Sequence, residues 1–333
     1  MSFLLLAVSF AVILAGALLF TNAVEWIGHR LKLGEGAVGS LLAAVGTAMP
    51  ETLIAIVALI SAAEGSADVA IGAIVGAPFL LGTLAMGLVG LFAYLYRERR
   101  AQGVSLNAHG PTLERDLIFF LIFFGAGLAL AWGAPSSVRI PAGIVIILAY
   151  VFYVRRTLLG SGDVQDHATL DPLIFERRPE HSRDPALIFC IIQLLVGLGA
   201  MVGGAHLFVE ELLHIAEDLG VEAVVLALIL APLATELPEK VNSFFWIREG
   251  KDSLALGNIT GAMVFQSTIP VGIGLIFTDW ALSTNAAISV VLGLVGGFLA
   301  YEVLHRRDRF ALPAVTAWIG LYVSYIFIVA LSA

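Results

Sequence analysis

The chain has 333 residues, 59% of them hydrophobic and 13% charged, with a net charge of −8. A soluble domain usually carries about 25% charged residues, so this composition argues against one and for a polytopic membrane protein. The single cysteine, Cys190, excludes an intrachain disulfide and a cysteine-based metal site.

The first segment, MSFLLLAVSFAVILAGALLF, lacks a basic leader and is apolar for long enough to span, so it reads as a retained helix. Apolar runs broken by charged or turn-rich stretches then predict ten spans: 2–24, 36–62, 68–95, 116–133, 137–155, 186–212, 222–247, 252–277, 281–301 and 310–332. The basic residues test that count. Of the 18 Lys and Arg residues, 16 fall in alternate connections, including Arg97, Arg99 and Arg100, then Arg155 and Arg156, and Arg306 and Arg307. The other connections hold Arg139 beside acids such as Glu64, Asp68 and Asp279. By the positive-inside rule the arginine-rich side is cytoplasmic and both termini face outward. The expected home is a plasma (inner) membrane. A polar stretch at 156–185 joins spans five and six; its His167 and His181 read as solvated loop, since no ligand-like cluster accompanies them.

Two short segments repeat. GTAMPE (Gly46 to Glu51) aligns without a gap on ATELPE (Ala234 to Glu239) at an offset of 188 residues, and Gly16-Ala17 falls on Gly204-Ala205. IGAIVGAPF (from Ile71) aligns on LGNITGAMV (from Leu256) at an offset of 185. Five spans per copy reverse the second copy in the membrane. The expected fold is therefore an all-α polytopic membrane protein with ten transmembrane helices in two inverted five-helix repeats. The repeats cover 1–155 and 186–333, and a cytoplasmic linker at 156–185 joins them. Transporters with inverted repeats place their sites near the midplane between the copies.

Proline donates no backbone hydrogen bond and clashes with the carbonyl four residues earlier. Pro50 and Pro238 should therefore kink or break their helices near Thr47 and Thr235. Freed carbonyls in hydrocarbon need a partner, and a cation supplies one. Thr47 and Thr235 add hydroxyl oxygens, and Glu51 and Glu239 add charge. A buried carboxylate costs about 2.5–3.5 kcal/mol on insertion scales. The cost is reasonable if the pair grips a hard cation, because such ions prefer oxygen ligands. Glu236 and Lys240 are spaced for a helical ion pair. Lys240 then either neutralises Glu236 or occupies part of the ion site.

These motifs resemble those of the cation/calcium exchanger superfamily, which includes the sodium/calcium exchangers. Its two repeats typically read G-T-S-x-P-E, followed by a helix reading G-N-x-x-G-S-N. Gly257-Asn258-Ile259-Thr260-Gly261-Ala262 is similar to that helix. The resemblance implies antiport by alternating access, with spans one and six sliding across a bundle that holds the ions. It also implies a ligand one turn beyond the G-N-x-x-G segment, where this chain has Leu81 in the first half and Gln266 in the second. Ala48, Ala73 and Ala77 stand where the family has polar residues. The expected metal-ligating set is Thr47, Glu51, Thr235, Glu236, Glu239 and Gln266. Asn242, Ser243 and Asn258 either complete it or bond between helices.

Asn22 and Glu25, and likewise Glu210, Glu211 and His214, read as membrane-interface residues, the other reading being a role in admitting ions. His206 reads as a partner of a neighbouring helix. No HExxH motif and no pair of aspartates within spans occurs, so an intramembrane enzyme is not expected. No cofactor is expected; the partners are membrane lipid and transported cations, not nucleic acid. The expected function is exchange of Ca²⁺ or a similar divalent cation for Na⁺. The alternatives are a cation/H⁺ antiporter and a non-transporting cation-binding homologue.

Overall fold

The computed structural model describes residues 2–30, 48–61, 63–105, 110–160, 171–176, 185–306 and 309–332. Within the helices, side chains are described except at 110–111, 158–160, 234, 237–242, 245 and 332. The described residues are helical apart from short turns. In chain order the helices are α1 (Ser2–Arg30), α2 (Met49–Ile60), α3 (Ser66–Leu95), α4 (Gly110–Leu130), α5 (Ser136–Gly160), α6 (Leu187–Leu219), α7 (Ala223–Arg248), α8 (Asp252–Phe277), α9 (Thr284–Arg306) and α10 (Leu312–Ser332). Seven of them, α1, α3, α5, α6, α8, α9 and α10, have stretches long and apolar enough to cross a membrane. Helix α4 is long enough, but it carries Glu114, Arg115 and Asp116 near its start.

Burial sorts the helices. The most apolar stretch of α3 is 94% buried and that of α8 is 78% buried, whereas those of α1, α5 and α6 are each 28% buried. Helices α3 and α8 therefore form the centre. The outer helices expose large apolar side chains such as Phe3, Leu18, Leu148 and Phe152, as a lipid-facing surface requires.

Small residues let the backbones approach. A Cβ added at Gly16 of α1 would lie 2.8 Å from the carbonyl oxygen of Gly197 on α6 and 2.9 Å from Met201. A Cβ at Gly204 of α6 would lie 3.1 Å from the carbonyl oxygen of Ser9 and 2.8 Å from Ile13. Under the 188-residue offset Gly16, Ser9 and Ile13 correspond to Gly204, Gly197 and Met201. The seam between α1 and α6 thus makes the same contact twice. Glycines also bring α3 against α7, where Gly72 and Gly76 face the backbone of Val224 and Leu228.

Helix α3 is not regular. Pro78 lies inside it, and residues Leu81–Ala85 form a π-helical turn. The Thr83 hydroxyl donates to the carbonyl of Phe79 at 2.6 Å. In α8 the hydroxyl of Thr268 donates to the carbonyl of Val264, also at 2.6 Å, and these two residues correspond under the 185-residue offset.

The arginine-rich side is knitted by one buried residue. The Arg100 guanidinium donates two bonds to the Asp252 carboxylate, at 2.8 and 3.0 Å. It also donates to the carbonyls of Gly103, Ser105 and Ile247. Gln102 donates to Asp252 and to the carbonyl of Gly250, and the amide of Phe310 donates to the carbonyl of Val104. Three connections, those after α3, α7 and α9, are thereby joined.

The expected limits of most spans lie within a few residues of the helices. Of the kink or break expected near Thr235, the break does not occur: α7 runs unbroken from Ala223 to Arg248. The Thr235 hydroxyl donates to Ala231 at 2.8 Å, and buried Ala231, Thr235, Glu236 and Phe244 hold the turns on either side. Packing thus outweighs the cost of an interior proline, about 3 kcal/mol. In the first half Pro50 instead sits in the opening turn of α2 as described, where a missing N–H costs nothing. Residues 161–170 and 177–184 of the linker, with His167 and His181, lie outside the described residues, as does Thr47.

Candidate cation site

The second motif places Glu236 on α7, with its side chain 1% exposed. One of its oxygens accepts a hydrogen bond from the Gln266 amide of α8 at 3.2 Å. Gln266 is fully buried, and its own carbonyl oxygen has no hydrogen-bond partner among the described residues. An amide held by its nitrogen in this way turns its oxygen into a ready ligand for a hard cation.

The first motif arrives from the other side. Glu51, in the first turn of α2, is 2% exposed. Ala48, at the start of α2, packs in one cluster with Val264 and Phe265 of α8 and with Tyr150 and Tyr153 of α5. Phe265 directly precedes Gln266, and Glu51 lies three residues, about 4.5 Å of helix rise, beyond Ala48. The opening of α2 therefore packs against the stretch of α8 that directly precedes Gln266.

Of the expected ligands, Glu51, Glu236 and Gln266 are buried side chains, and the last two touch. Thr235 is buried, but its hydroxyl proton is committed to Ala231. Its oxygen retains lone pairs. The side chains of Glu239, Lys240 and Asn242, and with them the convergence of Glu239 on Glu51, lie outside the described residues. Ser243 accepts a hydrogen bond from Asn258 at 3.1 Å, which links α7 to α8 closer to the arginine-rich side. Ala73, Ala77 and Leu81 are fully buried in α3 and offer no oxygen.

A second polar cluster was not foreseen. The Asp116 carboxylate of α4 accepts from Tyr153, from Thr260 of α8 and from Arg115, at 3.0, 3.0 and 3.1 Å. Thr260 precedes Gln266 by six residues, about 9 Å along the axis. The network fastens α4 and α5 to the helix that carries Gln266. The signal in the sequence was the run Glu114-Arg115-Asp116 at the mouth of an apolar helix. The outer-end residues are less informative: Glu211 lies 4.0 Å from His214, and His206 is exposed on α6.

The sodium/calcium exchanger protein family model matches residues 1–159 and 189–331, nearly the whole chain. The chain belongs to the sodium/calcium exchanger family. Relatives of this chain include the putative antiporter CaxA of Alkalimonas amylolytica, 24% identical over 269 residues, which are 80% of this chain and 78% of the relative. The sodium/calcium exchanger MaX1 of Methanosarcina acetivorans is 24% identical over 297 residues, with 83% of each chain covered. Among solved structures, an H⁺/Ca²⁺ exchanger CAX matches with a TM-score of 0.75 at 17% identity, covering 98% of this chain and 82% of its own. The sodium-calcium exchanger NCX_Mj matches at 0.60 and 19% identity, covering 98% and 99%. These likenesses give the chain the fold of the cation/calcium exchanger superfamily. It is a multi-pass membrane transporter.

Proposed function

We propose that the protein is a secondary active antiporter that exchanges Ca²⁺, or a similar divalent cation, for Na⁺ by alternating access. The observation that carries this reading is the burial of the Glu51 and Glu236 carboxylates, with Glu236 in contact with Gln266 of the central helix α8. Carboxylates deep in a membrane protein face interiors or ion paths, because lipid penalises them. The ion is held by Glu51, Glu236, Glu239 and Gln266, with oxygens from Thr47 and Thr235. Lys240, one turn beyond Glu236, offsets the extra carboxylate and leaves a formal charge near that of one divalent ion.

In this reading ten spans form two inverted repeats, 1–155 and 186–333, about the linker at 156–185. The repeated contact of Gly16 and Gly204 supports it, as does the matching hydroxyl bond of Thr83 and Thr268. Both termini face outward from an inner membrane. The name of one relative, the inner membrane protein YrbG of Escherichia coli, agrees with that location.

One observation favours protons as the counter-ion instead. Ala48, Ala73, Ala77 and Leu81 are buried and supply no side-chain oxygen, so the first half has few ligands for several sodium ions. Reconstituted vesicles separate the readings. Calcium flux driven by an imposed sodium gradient supports the first, and flux driven by a pH gradient supports the second. Binding of Ca²⁺ without flux under either gradient would leave a non-transporting cation binder.

A further inference from the structure

One short piece of the linker is described, and it is bound. Residues 171–176 lie across the ends of α1 and α6 on the arginine-rich side. Asn22 of α1 donates to the carbonyls of Asp171 and Pro172, at 3.4 and 3.5 Å, and its own oxygen accepts from the amide of Ile174 at 3.2 Å. The Trp26 indole donates to the carbonyl of Asp171 at 2.9 Å. On α6 the Gln193 oxygen accepts from the amide of Phe175 at 2.9 Å. The Gln193 nitrogen donates to the Asn22 oxygen and to the carbonyl of Leu19, both at 2.9 Å. Between these bonds Leu173 is 1% exposed, although Ile174 and Phe175, which form the turn after it, are open. Glu176 then accepts from the amide of Ala186 at 2.8 Å, just before α6 begins.

Two fully used amides and an indole thus hold a peptide backbone, and an apolar side chain is seated between them. Gln193 is fully buried and Asn22 nearly so, and a buried amide left without partners is costly, so these bonds favour keeping the segment in place. The bonds of Asn22, Trp26 and Gln193 stay within α1, α6 and this segment. The connections after α3, α7 and α9 are joined separately, through Arg100 and Val104. Among the described residues the arginine-rich side therefore carries two separate sets of hydrogen-bonded ties.

We propose that Asp171–Glu176 is a strap that binds the ends of α1 and α6 into one unit, so that the linker sets the rate of the conformational step and not the affinity for the ion. The rate claim rests on the exchanger reading; the strap itself does not. The full-length protein in lipid nanodiscs tests the strap by hydrogen exchange. Amides of Ile174 and Phe175 exchange slowly, and Asn22→Ala with Gln193→Ala speeds them by about tenfold or more while amides of α3 are unchanged. Flux in vesicles tests the consequence. The same double variant changes maximal turnover by about threefold or more and leaves the half-saturating calcium concentration in place. Leu173→Asp, which unseats the strap without touching either amide, reproduces both effects.

Slow exchange that the variants release, together with altered turnover at constant half-saturation, supports the proposal. Exchange at the rate of an unstructured peptide in the parent protein overturns the strap. Release without a change in turnover, or with half-saturation moved instead, overturns the rate claim. A parent protein that carries no flux under either gradient defeats the exchanger reading and the rate claim together, and the exchange data still decide the strap.

Discussion

Helices α3 and α8 occupy the same place in the two copies of the repeated segment, and both lie at the centre of the bundle. They share one backbone device. Each returns a threonine hydroxyl to the carbonyl one turn earlier, at matching positions, although their interior prolines, Pro78 and Pro270, stand at positions that do not correspond. Their lining differs. Where α8 has Asn258 and Gln266, α3 has Ala73 and Leu81. The shared fold demands only that the helices pack, and small or apolar residues do that as well as polar ones. Ion chemistry demands oxygens, and α8 supplies more of them. The two copies are thus alike as scaffolds and unlike as ligand donors.

Four substitutions test how far the likeness of the two helices goes. The largest effect belongs to the tie between the two helices' arginine-rich ends. Asp252→Ala leaves Arg100 buried without its carboxylate and should cost about 3–5 kcal/mol, read as a lowered denaturation midpoint in detergent. Glu51→Gln removes the charge that the first copy still contributes. Calcium affinity by isothermal titration should fall about 100-fold or more, which is about 2.7 kcal/mol. Gln266→Leu gives α8 the side chain that α3 already has. Affinity should fall by about tenfold, or about 1.4 kcal/mol, with the melting temperature little changed. An unchanged affinity would remove Gln266 from the ligand set. The converse, Leu81→Gln, is the smallest. It should add about 1 kcal/mol or less of sodium-dependent stabilisation in a thermal-shift titration.

Much of the scaffold was legible because its signals are local. Apolar runs of spanning length and the alternation of arginine-rich connections depend only on neighbours in sequence. The proline motifs singled out Glu51 and Glu236, and the family resemblance singled out Gln266; all three side chains are buried. The pairings were not legible. Asp116 meets Thr260 across 144 residues, and Arg100 meets Asp252 across 152. Nothing in the local pattern of either partner names the other. Asn22 was assigned to the membrane interface because it ends an apolar run, yet it grips backbone 149 residues away. Gln193 drew no notice, since one amide in an apolar helix reads as an ordinary interhelical bond. The expected break in α7 failed for a related reason: the local rule for proline ignores the packing of the turns around it.

The doubled contact between α1 and α6 has a thermodynamic corollary. Gly16 meets Gly197 as Gly204 meets Ser9. Splaying the pair at either end forfeits the same close packing, so neither end is the weaker one and the two helices are held as a single rod.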